Sequence, residues 1–134
     1  MSVVNATLAV GDYGARHKDD RMDETVIERK SIPDLFTSFS SGYEREKAKI
    51  EKAKALGLRY ILAVEGTAFD VREGSSYMKD GELHYSKKDG TAQVRQLMTM
   101  LRKGYFADIW WCRSRAEMAF LIQEYFLSYE RIER

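Results

Sequence analysis

A chain of 134 residues has the length of one domain, and its 44% hydrophobic content is enough to bury a single core. Lys and Arg number 22 against 21 Asp and Glu, a formal net charge of +1, which excludes a global basic field; any polyanion must be held by a local patch or a bound cation. The one cysteine, Cys112, excludes an intrachain disulfide and a cysteine-built zinc cage, and no apolar run reaches the length of a membrane span. The N-terminus lacks a charged region followed by an apolar stretch and a cleavage site, so the expectation is a soluble, intracellular protein in a reducing compartment.

Residues 3–11 predict a strand, with Leu8, Val10 and Asp12 on one face by the two-residue period. Residues 14–24 are dense in charge and read as a polar loop. Residues 25–30 form a second strand, β-branched at its start and charged at its end. A helix follows, with Ser31 as N-cap, Pro33 in its first turn and Asp34 three residues after the cap. Ser40-Ser41-Gly42 interrupts it, and a second helix runs from about 43 to 56, stopped by Gly57. Residues 58–65 are apolar in the manner of a strand covered on both faces. Within 66–90, Asp80-Gly81 between two short apolar-aromatic segments predicts a small protruding hairpin. Residues 91–103 predict a helix with Val94, Leu97, Met98 and Leu101 on one face. A strand at 107–112 and a final helix complete the chain. Ser114 and Glu117 supply a capping box for that helix, and its stripe is Met118, Leu121, Ile122, Tyr125 and Tyr129. Alternating strands and helices predict an α/β domain with a mixed or parallel sheet. Cys112, in the apolar run from Ile109, reads as a buried inert thiol.

Asp12, Glu28, Lys30 and Glu65 all fall at ends of predicted strands, where loops carry chemistry on a rigid base. Glu28 and Lys30 are two apart and share one strand face. If the strand ending at Asp12 pairs with theirs, two carboxylates and an ammonium converge. Neighbouring carboxylates repel unless a cation neutralises them, and a hard, oxygen-seeking ion such as magnesium or manganese suits such a pair. It would polarise a phosphate oxygen and acidify water, with Lys30 stabilising the charge that builds. Against this stands the plain alternative that Glu28 and Lys30 are solvated charges at a strand end.

Gly11-Asp12, a spacer, and then Glu28-Arg29-Lys30-x-x-x-Asp34 closely resemble the signature of the XPF-type structure-specific endonucleases, a branch of the restriction-endonuclease-like PD-(D/E)XK nucleases. With each charged type near 6% of an average sequence, four fixed charges match by chance at about one position in a hundred thousand. Val64-Glu65-Gly66 and Gly42-Tyr43-Glu44-Arg45-Glu46 also resemble family elements. The resemblance covers residues 8–66 well and the remainder only by element order. It implies a restriction-endonuclease-like mixed sheet flanked by helices in one domain spanning 1–134, the hairpin at 66–90 being an insertion. It implies metal ligation by Asp12 and Glu28, with the Ile27 carbonyl as a candidate further ligand, and Lys30 as catalytic lysine. Arg29 and Asp34 belong to the motif and are candidate catalytic residues. Arg29 is expected on the opposite face from Glu28, and Asp34 equally suits a helix dipole. Glu65 is a weaker candidate near the metal.

Two departures stand out. Family members usually carry another acidic strand well upstream of Gly-Asp, whereas eleven residues precede Asp12 here. Either that element is lost, or a later residue replaces it, or the chain is a pared-down variant of the family. Helix-hairpin-helix modules, common in the family for gripping DNA, have no room. The expected function is metal-dependent hydrolysis of DNA phosphodiesters, with branched or junction DNA as the implied substrate. The alternatives are an inactive DNA-binding or scaffold module of the same fold, or an interaction protein with merely solvated charges. Arg45, Lys47 and Lys49 on the second helix are candidate phosphate contacts, against a bland reading as i,i+4 ion pairs such as Lys47 with Glu51. The 66–90 hairpin, with Tyr77, Lys79, His84 and Tyr85, is another candidate DNA contact. His17 and His84 have no partners at metal-binding spacing. The aromatic C-terminal part, the pairing region of the resembled family, makes a homodimer or heterodimer plausible.

Overall fold

The apolar run predicted at 58–65 is an interior strand of the sheet, and its neighbours explain why it carries almost no charge. A computed structural model describes residues 2–5, 11–17, 21–74, 76–85 and 89–132. In chain order the elements are β1 (Ser2–Asn5), β2 (Tyr13–Arg16), β3 (Thr25–Ser31), α1 (Ile32–Ser38), α2 (Tyr43–Ala55), β4 (Arg59–Glu65), α3 (Ala68–Arg72), β5 (Ser76–Lys79), β6 (Glu82–Tyr85), α4 (Gly90–Arg102), β7 (Asp108–Cys112) and α5 (Arg115–Ile132). Five strands form one sheet in the order β1-β2-β3-β4-β7. β2 runs antiparallel to β1 and β3, while β3, β4 and β7 run parallel. The sheet is therefore mixed, and helices flank it, as expected for a restriction-endonuclease-like α/β domain.

β4 is covered on both faces. Tyr60, Leu62 and Val64 pack with Leu35, Phe36, Ile50, Leu97 and Met100 beneath α1, α2 and α4. Ile61 and Ala63 pack with Ile27, Met118, Ile122 and Phe126 beneath α5. A strand buried on both faces loses the polar alternation that a half-exposed strand shows. β3 obeys the same alternation: Val26 belongs to the first core and Ile27 to the second. Glu28 and Lys30 thus follow Val26 to the side of α1 and α2, and Arg29 follows Ile27 to the side of α5.

Most local signals act as read. Ser31 accepts a hydrogen bond from the Asp34 amide at 3.3 Å and starts α1. Gly57, at φ +73°, ends α2. Asp80 and Gly81, at φ +54° and +78°, turn β5 back on β6 in the predicted hairpin, where two consecutive positive φ values suit the strand twist. Ser114 accepts from the Glu117 amide at 3.1 Å.

Several readings are corrected. The first strand does not run to Gly11: β1 covers Ser2–Asn5, and residues 6–10, with Leu8 and Val10, lie outside the described residues. Asp12 therefore does not end a strand; it occupies the bend that leads into β2. Residues 14–16, assigned to the polar loop, belong with Tyr13 to β2, where Ala15 is fully buried in the same core as Ile27 and Phe126. Only Tyr13 and Ala15 advertise that strand, and the charge run starting at Arg16 masks them. The short α3 was unforeseen, although Thr67 and Asp70 form a complete capping box at its start. In α4 Leu97 is buried and Val94 and Leu101 are partly buried against the core as read, but Gln93 and Met100 complete the buried face and Met98 is exposed. In α5 the buried stripe is Met118, Ile122 and Phe126, with Leu121 and Tyr125 partly buried; the Tyr129 side chain lies outside what is described.

Gly90 opens α4 where it crosses α3. A Cβ there would overlap the backbone carbonyl oxygens of Val71 and Arg72, which cannot rotate away. Gly90→Ala is expected to cost about 1–3 kcal/mol by forcing the two helices apart, read as a lower urea midpoint at unchanged m-value.

Candidate active site

Asp12 reaches β3 because of the residue before it. Gly11 has φ +83°, and a Cβ on it would stand 3.0 Å from the Val26 Cβ and 3.5 Å from the Ile27 oxygen. Glycine alone gives the close approach without strain. The Asp12 amide then donates to the Ile27 carbonyl at 2.9 Å, and Asp12 Oδ2 accepts from the Arg29 amide at 2.9 Å. The carboxylate is fixed beside the β3 backbone, next to Glu28. The Ile27 carbonyl, a candidate ligand, already accepts this bond.

Glu28 is 4% exposed. Its Oε1 accepts from Lys49 Nζ at 2.8 Å and lies 3.7 Å from Lys30 Nζ. Lys30 Nζ also donates to Ser38 Oγ at 2.8 Å and to Glu46 Oε1 at 3.1 Å. Glu46 Oε1 lies 3.8 Å from Lys49 Nζ. Two carboxylates and two ammoniums therefore alternate in one cluster, from β3 on one side and α2 on the other, with Ser38 at the end of α1. Burial, and after it the neighbouring charge of Asp12, raises the Glu28 carboxyl above its ordinary value; Lys49 and Lys30 oppose the shift without cancelling it. Burial alone would lower Lys49, but the hydrogen bond and charge of Glu28, with Glu46 and Asp12 behind, hold its pKa above the usual lysine value. The buried Tyr60 hydroxyl has no hydrogen-bond partner among the described residues. Burial and the negative field of Glu28, Glu46 and Asp12 push its pKa upward.

The chain matches the model of the ERCC4 domain over residues 1–125. It belongs to the ERCC4 domain family. This is the nuclease-domain family to which the Gly-Asp and Glu-Arg-Lys motifs point, one that acts on DNA structures. No curated protein matches the chain.

In this ERCC4 domain the motif residues separate onto two faces of β3. Arg29 Nε pairs with Glu65 Oε1 at 2.7 Å, and Arg115 Nε meets the same oxygen at 3.2 Å. Arg29 and Glu65 thus belong to the α5 side, away from Glu28 and Lys30, which matches the alternation expected for Arg29 and leaves Glu65 outside the cluster. Asp34 is exposed in the first turn of α1 and takes part in none of the cluster's hydrogen bonds or ion pairs. On α2, Arg45 is exposed and Lys47 half-buried, while Lys49 turns inward to Glu28. The ion pair expected between Lys47 and Glu51 is absent among the described residues; Lys49 pairs with Glu46 at i,i+3 instead. His17 pairs with the buried Asp23 at 3.0 Å and closes the loop between β2 and β3. Burial pushes the Cys112 thiol up to about 11, so it is inert at neutral pH. The side chains of Tyr77, Lys79, His84 and Tyr85 lie outside what is described.

Glu46 and Ser38 are the cluster members that the sequence reading missed. The signal for Glu46 was its spacing: Glu46, Ile50 and Ala53 form the buried stripe of α2, and a carboxylate on a buried stripe needs partners. Ser38 carried no such signal.

Among the described residues no group of three or more His, Cys, Asp or Glu side chains is arranged to hold a metal ion. The donor chemistry of Asp12 and Glu28 nevertheless fits a hard divalent cation. Both offer carboxylate oxygens, their charges repel, and Asp12 Oδ1 and Glu28 Oε2 form no hydrogen bond among the described residues. An apolar cleft lies elsewhere, between α3 and α4, lined by Phe69, Val94 and Met98 and by none of the cluster. No helix of the described residues is long and apolar enough to cross a membrane.

Two measurements probe the electrostatics. Because the folded pKa of Glu28 is raised, its contribution is most favourable below the ordinary carboxyl value of 4.5 and is lost as pH rises through the folded value. The stability of the wild type relative to Glu28→Gln should therefore fall as pH rises above the ordinary carboxyl value in urea titrations. Tyr60→Phe removes a buried hydroxyl with no partner and should raise stability by about 1 kcal/mol, read as a higher urea midpoint.

Proposed function

We propose that this ERCC4 domain is a metal-dependent endonuclease that hydrolyses DNA phosphodiester bonds, with branched or junction DNA as its substrate class. One observation carries the reading: Asp12 and Glu28 converge at β3 with the Lys30 ammonium between Glu28 and Glu46. Asp12 and Glu28 would hold magnesium or manganese, with the Ile27 carbonyl as a further donor. When bound, such a cation supplies phosphate polarisation and acidified water.

The chain's own groups do the rest. Lys30, held by Ser38 and Glu46, places a fixed positive charge near the phosphorus, where negative charge grows in the transition state. Burial of Glu28 and Glu46 keeps that field in a poorly screened environment. Water adds to phosphorus, the bond from phosphorus to the 3′ oxygen breaks, and the proton lost by water is matched by one gained at that oxygen. The products carry a 5′-phosphate and a 3′-hydroxyl. Arg45 and Lys47, on the outer part of α2, are suited to flanking phosphates. Phe120 is exposed on α5 and is the aromatic side chain best suited to a partner subunit in a homodimer or heterodimer.

A second reading has its own support. Lys49 occupies Glu28 Oε1 at 2.8 Å, and a site neutralised in this way suits an inactive DNA-binding or scaffold module. End-labelled flap, junction, duplex and single-stranded DNA separate the two. With magnesium or manganese, the wild type is expected to cut and chelator to stop it. Glu28→Ala and Lys30→Ala should each reduce kcat by roughly 10²–10³-fold or more. Failure to cut any substrate, with equal DNA binding by wild type and variants, would leave the inactive module.

A further inference from the structure

An ammonium has three N–H bonds to give, and the two lysines of the cluster spend them differently. Lys30 donates to Ser38 at 2.8 Å and to Glu46 at 3.1 Å, and it faces Glu28 at 3.7 Å. All three directions are taken inside the protein, and its side chain is only 12% exposed. Lys49 makes one hydrogen bond, to Glu28 at 2.8 Å, and stands 3.8 Å from Glu46. Its side chain is 34% exposed, so it retains an N–H facing solvent. Its position is fixed by the helix: Glu46, one turn earlier, lies in the buried stripe with Ile50 and Ala53, which turns Lys49 towards β3 and the rim of the site.

Resting on the nuclease reading above, we propose that Lys49 is the lysine whose ammonium meets a non-bridging oxygen of the scissile phosphate, while Lys30, committed to Ser38 and Glu46, contributes its charge without touching that phosphate. Lys49 touches the carboxylate that would hold the cation, so a phosphate drawn to that cation would lie beside Lys49. Lys49 can therefore exchange its bond to Glu28 for one to phosphate without leaving its place, whereas Lys30 would have to break two hydrogen bonds to do so. Glu46 makes the division possible, because it draws Lys30 inward and leaves Lys49 at the surface.

The test compares Lys49→Met, Lys49→Arg and Lys30→Met with the wild type. Fluorescence anisotropy on junction DNA, with calcium replacing magnesium, reads phosphate contacts without cleavage. Lys49→Met should make the dependence of log K on log salt shallower by about 1, and Lys30→Met should leave it unchanged. In magnesium, Lys49→Met should lower kcat roughly 10²-fold or more with little change in KM, and Lys49→Arg should recover the salt slope and part of the rate. A peripheral phosphate contact would instead raise KM at wild-type kcat, and that result overturns the proposal. An unchanged slope for Lys49→Met, or an equal loss of slope in Lys30→Met, overturns it too. A wild type that cuts DNA and loses activity in Glu28→Ala, but not in Lys49→Met, sinks this inference alone. A wild type that never cuts sinks the nuclease reading and the catalytic role with it, while the slopes still report whether Lys49 meets phosphate.

Discussion

The charge of Glu28 is the constraint around which the rest of the molecule is arranged. A carboxylate 4% exposed between a sheet and a helix costs several kcal/mol in lost hydration unless cations and hydrogen bonds offset it. Lys49 and Lys30 supply that offset from α2 and β3. Glu46 in turn balances the second ammonium, and Ser38 satisfies one more of its protons. Removing any member leaves a buried charge without its partner. The order of elements follows from this need: β3 must pass directly into α1, and α2 must lie along the same face, for the four charges to meet.

Asp12 adds a negative charge that this network does not fully balance, and it does so by a backbone device. Gly11 permits an approach that a side chain would block, and two main-chain hydrogen bonds then hold Asp12 against β3. The Gly-Asp pair is thus one mechanical unit, and the placement of the Asp12 carboxylate depends on the residue before it having no side chain. An uncompensated negative charge beside a buried carboxylate is the condition under which a divalent cation binds most readily.

The Glu-Arg-Lys triplet divides between the two faces of β3. Glu28 and Lys30 serve the cluster. Arg29 crosses to the α5 side, where it shares Glu65 with Arg115. That ion triad ties the ends of β3 and β4 to the start of α5, and so secures the sheet behind the site. Charged residues at adjacent positions of one strand therefore do unrelated work, because successive side chains point to opposite layers.

How much of this was legible depended on how local the cause was. The caps of α1 and α5, the hairpin turn at Asp80-Gly81 and the alternation that sends Arg29 away from Glu28 are fixed within a few residues, so the sequence alone determined them. That Asp12 comes to lie against β3 beside Glu28 was legible too, because both belong to one motif. By contrast, β2 rests on pairing with strands on either side, and α3 is too short to show a period. Glu46, Ser38 and the inward turn of Lys49 were decided only by the packing of α2 on the sheet. Helix periodicity reveals that three residues share a stripe, but which stripe is buried, and which charge waits opposite it, depends on a strand whose facing charges lie 16 and 21 residues earlier in the sequence. Electrostatic partners chosen across that distance are set by the tertiary structure, because burial is what makes an unpaired charge too costly to tolerate.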